Sequence, residues 1–220
     1  MARSLIRWAH RRLLAHFGQP LWESRNEPLD ELMGTILSQH TSDVNSERAF
    51  LALKRAYSNW EAVRDAPEAE LVGVIRPGGL AVVKAARIQA VLRALSPETD
   101  DVLALPDLRR MRRADAVRFL TSLPGVGRKT AACVLLFGAH VPAIPVDTHV
   151  HRVALRVGLV QPRTTPDAAC DVLEAAIPPA EQYAFHINLI RLGRQICKAQ
   201  RPHCPSCPLQ AGCKYALQLS

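Results

Sequence analysis

LPGVGRKTAACVLL, residues 123–136, sets two glycines one residue apart, then a lysine, then an apolar run. Apolar residues flank the glycines on both sides at helical spacing, so the glycines sit between two helices. Gly125 can adopt the positive φ of a tight interhelical turn. Gly127 leaves the backbone open to a close neighbour, and the unpaired N–H groups of a helix start favour an anion there. Two readings stay open from these residues alone, a plain helix–helix turn or a hairpin that grips a phosphate. Lys129 is open in the same way: it is a cation for a phosphate or an amine nucleophile. A nucleophile must be neutral, and partial burial together with the positive end of the following helix would push the amine that way.

Outward from this stretch the chain reads as mostly helical. Leu29, Leu32, Ile36 and Leu37 recur at helical spacing in a helix starting near Asp30. Asp43 is placed to cap the next helix, which carries Ala49, Phe50, Leu53 and Tyr57. A short helix ends before Pro77, and others span about 80–95, 115–123 and 129–138. Later ones fall near 149–158, 166–176 and 181–196. The segment RPGGLAVVKAARI, residues 76–88, repeats the pattern of paired glycines and then a helix with a lysine. No alternation of period two stands out, so the expected class is all-α.

The 220 residues suffice for one large domain or two small ones. The net charge is +8 and unevenly spread. Residues 1–22 carry Arg3, Arg7, Arg11 and Arg12 with no acid, and the chain after Gln182 is again basic only. Such segments suit a polyanion, most simply a nucleic acid, or form an inert basic surface. No apolar run approaches a membrane span and no signal-peptide core is present. The Arg-rich N-terminus reads best as an amphipathic helix with Leu5, Ile6, Leu13, Leu14 and Phe17 inward, with a mitochondrial transit peptide as the other reading.

CKAQRPHCPSCPLQAGC, residues 197–213, holds Cys197, Cys204, Cys207 and Cys213. Four thiols so close, with no mark of secretion, argue for a metal centre over disulfides. Structural zinc favours paired C-x2-C knuckles, and only Cys204 and Cys207 form one. The wider outer arms suit an iron–sulfur cluster better, although spacing alone leaves zinc open. Cys133 and Cys170 fall on apolar helix faces and read as core.

LPGVGRKTA, then VDTH at residues 146–149, then the cysteine tail resemble, in that order, the endonuclease III family. These are helix–hairpin–helix DNA glycosylases with a 4Fe-4S cluster, and the likeness runs from ILSQHTSD (residues 36–43) to the cysteines. The resemblance implies an all-α, two-lobed fold with a C-terminal cluster loop. A six-helix lobe spans residues 29–142, and residues 1–28 plus 143–220 form the cluster lobe, with DNA across the cleft. It implies a bifunctional N-glycosylase and abasic-site lyase acting on oxidised pyrimidines in duplex DNA, a monomer of the bacterial cytoplasm or an organelle, with no membrane partner. Lys129 would be the Schiff-base nucleophile and Asp147 the catalytic carboxylate, although Asp147 also reads as a helix N-cap whose capping-box partner is replaced by Val150. Gly125, Val126 and Gly127 would form the hairpin, and Lys198 and Arg201 would meet the DNA backbone. Leu80 would be the apolar wedge, and Gln39 or His40 would fill the gap left by the extruded base. His149 and His151 read as structural. The chain departs from the family in having His40 where many members have Gln, and Ala81 and Val82 where an aromatic residue often follows the wedge. The rivals are a monofunctional glycosylase, such as the adenine glycosylase that acts opposite oxidised guanine, and a non-catalytic DNA-binding module. Lys129 argues against the first, and Lys129 together with Asp147 against the second.

Overall fold

The structure, a computed structural model, describes residues 2–22, 27–96 and 103–218. Among these there is no strand, and the chain is all-α. The helices are α1 (Ala2–Phe17), α2 (Pro28–Ser38), α3 (Asp43–Ala56), α4 (Trp60–Asp65), α5 (Glu68–Ile75) and α6 (Ala81–Leu95). There follow α7 (Arg113–Ser122), α8 (Arg128–Cys133), α9 (Thr148–Val157), α10 (Pro166–Ala176), α11 (Pro179–Gln195) and α12 (Lys214–Leu217). None of them is long and apolar enough to cross a membrane.

Two compact units emerge, Ser24–Val141 and the pair of segments Met1–Glu23 and Pro142–Ser220. In the first, α2 is the central element. Leu29, Leu32, Met33, Ile36 and Leu37 are all buried, because α2 meets α3, α6, α8 and the turn after α8 on different sides. Pro28 opens α2 at a position where its missing N–H would be unpaired anyway. The next helix is capped by Ser42, whose hydroxyl accepts from the Asn45 N–H at 3.3 Å, and not by Asp43 as expected. Asp43 lies one residue inside, where its charge suits the helix N-terminus. The short α4 carries its own cap, Asn59, with Oδ1 accepting from Ala62 N at 2.8 Å.

The helix expected over 129–138 is not a single α-helix. It is α-helical to Cys133 and continues as a π turn over Val134–Gly138, closed by Ala139 N donating to Val134 O at 2.9 Å. Four apolar residues in succession, Val134 to Leu136 with Cys133, are buried there, and the wider turn lets all of them face packed neighbours.

In the second unit Ile6, Ala9 and Leu13 of α1 pack with Val150, Val153 and Val157 of α9 and with Phe185, Leu189 and Leu192 of α11. Of the N-terminal residues expected inward, Ile6 and Leu13 are fully buried, while Leu5, Leu14 and Phe17 are half-buried. Thr165 caps α10 by accepting from Ala168 N at 3.3 Å. Gln182 turns back to donate to Ile177 O at 3.2 Å, which satisfies the carbonyl between α10 and α11.

Gly138 shows how tightly the π turn meets α2. A Cβ there would lie 2.9 Å from Pro28 Cα and 3.1 Å from Glu31 Cβ. Gly138→Ala should therefore destabilise by about 1–3 kcal/mol through overpacking. In thermal melting that corresponds to a fall of roughly 2–4 °C per kcal/mol for a chain of this size.

Candidate active site

The glycine-rich turn joins α7 to α8 within the Ser24–Val141 unit. Gly125 has φ +71°, and Val126 N closes the turn on Leu123 O at 3.1 Å. Val126 is buried and anchors the turn. The positive φ requires glycine there, and a Cβ would also come within 2.3 Å of Arg87 Nε, so that side chain would have to shift. Gly127 is the N-cap of α8 at φ −92°, and a Cβ there would meet nothing within 4 Å. Its openness therefore matters only to an incoming molecule. Thr130, Ala131, Ala132 and Cys133 are buried and fix α8, while Lys129 is exposed. The partial burial expected for this amine is absent.

Two other turns of the same unit hold the remaining candidates. Gln39 is the C-cap of α2 and half-buried, and its Oε1 accepts from Arg87 Nη1. His40 is exposed with φ 54°, so the side chain free to leave the protein surface is His40. Leu80 is 56% exposed at φ 49°, with Val82 and Val83 exposed beside it. Arg87 thus joins Gln39 to the glycine turn. It was not singled out in the sequence, since a lone arginine on a helix carries no motif.

Asp147 belongs to the other unit. It caps α9, with Oδ1 accepting from Val150 N at 2.7 Å. The residue is half-buried, and Oδ2 has no hydrogen-bond partner among the described residues. Both neighbouring histidines are occupied. His149 Nδ1 meets Arg152 Nη2 at 3.1 Å, and His151 Nε2 meets Thr164 O at 2.7 Å. Arg152 also donates to Gly193 O at 2.8 Å and Cys197 O at 3.0 Å, tying α9 to α11 and to the first cysteine of the tail.

Cys197, Cys204, Cys207 and Cys213 line one small pocket, with Arg156, Leu192 and Tyr215 around them. All four are free thiols. Among the described residues no three His, Cys, Asp or Glu side chains are gathered as a single ion would need. Burial pushes the Cys207 thiol up to about 11, and Cys197, Cys213 and Cys204 add to the shift. Thiols held together against their own like charge are a donor set that a cationic centre would favour deprotonating. Arg156 Nη1 lies 3.6 Å from Cys197 Sγ, and the same guanidinium donates to Lys198 O at 2.6 Å and Ala199 O at 2.8 Å. It thereby shapes the loop on which Lys198 and Arg201 are exposed.

The family profile for HhH-GPD superfamily base excision DNA repair proteins matches residues 33–179. The endonuclease III of Thermotoga maritima is 34% identical over 196 residues, covering 89% of this chain and 87% of that protein. That of Bacillus subtilis is 32% identical, covering 86% and 82%. Among solved structures, a trapped endonuclease III–DNA covalent intermediate with an estranged adenine superposes with a TM-score of 0.85 at 31% identity, over 99% of this chain and 98% of that one. A thermostable thymine-DNA glycosylase shares the fold at a TM-score of 0.77 and 20% identity, over 99% and 97%. The chain belongs to the HhH-GPD superfamily and, within it, to the endonuclease III family: it is a DNA glycosylase of base excision repair.

The cap at Asp147 can be separated from any chemistry by stability. Asp147→Ala should cost about 1 kcal/mol, whereas Asp147→Asn, which retains a capping oxygen, should melt close to wild type. Equal melting of the two variants would show that the cap contributes nothing.

Proposed function

We propose that this enzyme is a bifunctional glycosylase and abasic-site lyase that removes oxidised pyrimidines from duplex DNA as a monomer. The observation that carries the reading is Lys129, an exposed amine on a rigidly buried helix directly behind the sterically open Gly127. Its Nζ would attack C1′ of the damaged nucleotide as the N-glycosidic bond breaks and the base leaves with a proton. The C1′–O4′ bond then opens, with O4′ taking a proton as the nitrogen lone pair forms the Schiff base; this acidifies C2′, and loss of that proton expels the 3′ phosphate. Asp147 would stabilise positive charge on the sugar and shuttle protons through Oδ2, since Oδ1 is held by the cap. A solved trapped covalent endonuclease III–DNA intermediate supports the lyase half of the assignment.

The DNA contacts would come from Gly125, Val126 and Gly127 at the hairpin, from Leu80 as wedge and from Lys198 and Arg201 on the cysteine loop. His40 fits the gap better than Gln39, whose amide is already taken by Arg87. Residues 29–142 would form the hairpin lobe, and 1–28 with 143–220 the cluster lobe.

Cys197, Cys204, Cys207 and Cys213 would hold a 4Fe-4S cluster. Their unequal spacing, with one C-x2-C knuckle and two wider arms, suits such a cluster better than the paired knuckles of structural zinc. When bound, the cluster supplies a rigid, redox-active cross-link of the tail, and the chain's part is to present Lys198 and Arg201 to phosphate through the loop that Arg156 braces.

Borohydride trapping on damaged and on abasic duplexes tests the chemistry. Lys129→Ala should abolish trapping and strand cleavage while an uncleavable abasic analogue still binds. Asp147→Asn should bind normally and release base about 100- to 1000-fold more slowly, the size of one electrostatic contribution. Trapping at wild-type yield in Lys129→Ala would assign the nucleophile to another amine. The purified protein should contain about four irons and absorb broadly near 400 nm, and Cys204→Ser should lose iron and stability together. Stoichiometric zinc in protein made anaerobically with ample iron would overturn the cluster.

A further inference from the structure

Lys84, the fourth residue of α6, is 2% exposed. Its Nζ donates to Leu37 O at 2.6 Å and to Gly78 O at 2.8 Å. Burial holds its amine below the usual lysine range, and among the described residues no carboxylate pairs with it. Both acceptors end a piece of secondary structure. Leu37 lies in the last turn of α2, where carbonyls lack an intrahelical donor and where α2 has no basic residue of its own. Gly78 ends the 3-10 turn Arg76–Gly78, and a Cβ there would meet Ala49 Cβ at 3.0 Å, so this turn is already pressed against α3.

Three residues beyond Leu37 is His40, and two beyond Gly78 is Leu80. Both side chains are exposed on left-handed backbone, at φ 54° and 49°. A non-glycine residue there is strained and persists only where its surroundings over-determine it. A buried ammonium with carbonyl acceptors but no carboxylate is costly, and a methionine would fill similar space without the charge. The core therefore does not need the charge. What the amine supplies is a fixed separation between the ends of the two turns, which no apolar side chain could set.

We propose that Lys84 is the positioning residue that holds His40 and Leu80 at one spacing, so that the two side chains enter a duplex together as a base is extruded. The proposal rests on the reading of His40 as gap filler and Leu80 as wedge. Arg87, three residues further along α6, extends the same brace to Gln39 and the glycine turn.

The test compares Lys84→Met with wild type in single-turnover excision of an oxidised thymine from duplex DNA, and in borohydride trapping on a preformed abasic site. Base release should slow by about 10-fold or more, a barrier change of ~1.4 kcal/mol. Trapping on the abasic site, which needs less extrusion, should stay within about twofold. In a His40→Ala, Leu80→Ala background, Lys84→Met should change the excision rate by less than about twofold, because its effect passes through those two side chains. Equal losses on both substrates, or an undiminished loss in that background, would make Lys84 a support of the fold alone and overturn the proposal. Unchanged excision in Lys84→Met would overturn it too. If Lys84→Met does not fold, Lys84→Gln is read on the same substrates by the same criteria. Wild-type protein that neither excises the oxidised thymine nor traps would overturn the oxidised-pyrimidine glycosylase and lyase reading and this proposal with it, whereas an active wild type with either failure above overturns the proposal alone.

Discussion

Reversing the chain between α7 and α8 forces one residue into the left-handed region, and Gly125 is that residue. The void left by its missing side chain is filled by Arg87, so the turn is fixed twice, once by its own backbone and once by a side chain from α6. With the turn fixed, Val126 can only point inward and Gly127 can only be open. The buried face of α8 then leaves Lys129 outside. The position of the proposed nucleophile is thus a consequence of a steric requirement four residues away, and nothing about the amine itself has to hold it there.

The second unit uses hydrogen bonds where the first uses packing. α9 begins at the Asp147 cap, and its two arginines, four residues apart, reach the cysteine tail. Arg152 takes the Cys197 carbonyl and Arg156 the carbonyls of Lys198 and Ala199. The face of α9 that follows Asp147 is therefore the face that shapes the cysteine loop. Arg156 also lies over the Tyr215 ring, 4.7 Å from its centroid, which ties the last helix to the same point. A change in the loop and a change at the carboxylate share one rigid element.

The parts of this arrangement that were legible in the sequence depend on composition and spacing. The cysteine pattern, the paired glycines and the helical periodicity each announce a local requirement. What escaped was set by tertiary packing. The π turn after Cys133 has no residue that demands it and follows from how Val134 to Leu136 are buried. Ser42 and Asp43 are both good caps, and only the backbone decides between them. Lys84 reads as a solvated lysine on an amphipathic helix, because nothing nearby in sequence discloses that Leu37 and Gly78 end beside it. Lys129 errs in the opposite direction. The apolar run behind it suggested shelter, but that run buries the other side of α8.

Backbone strain separates the turns that present side chains from the turns that merely connect. Among the described residues five non-glycine positions have positive φ: His40, Leu80, His140, Arg163 and Arg201. Three of these, His40, Leu80 and Arg201, are positions whose side chains the proposed mechanism sends into or onto DNA. Glycine would relieve the strain at each, as it does at Gly79, Gly125 and Gly158. Glycine, however, has nothing to insert in a gap, wedge beside a base or offer to a phosphate. At those three positions the chain keeps both bend and side chain and accepts strain of order 1–2 kcal/mol per residue. Strain of that size has to be held by the surrounding structure, and the two turns that lead to His40 and Leu80 share one buried amine, which Leu37 O and Gly78 O both accept from.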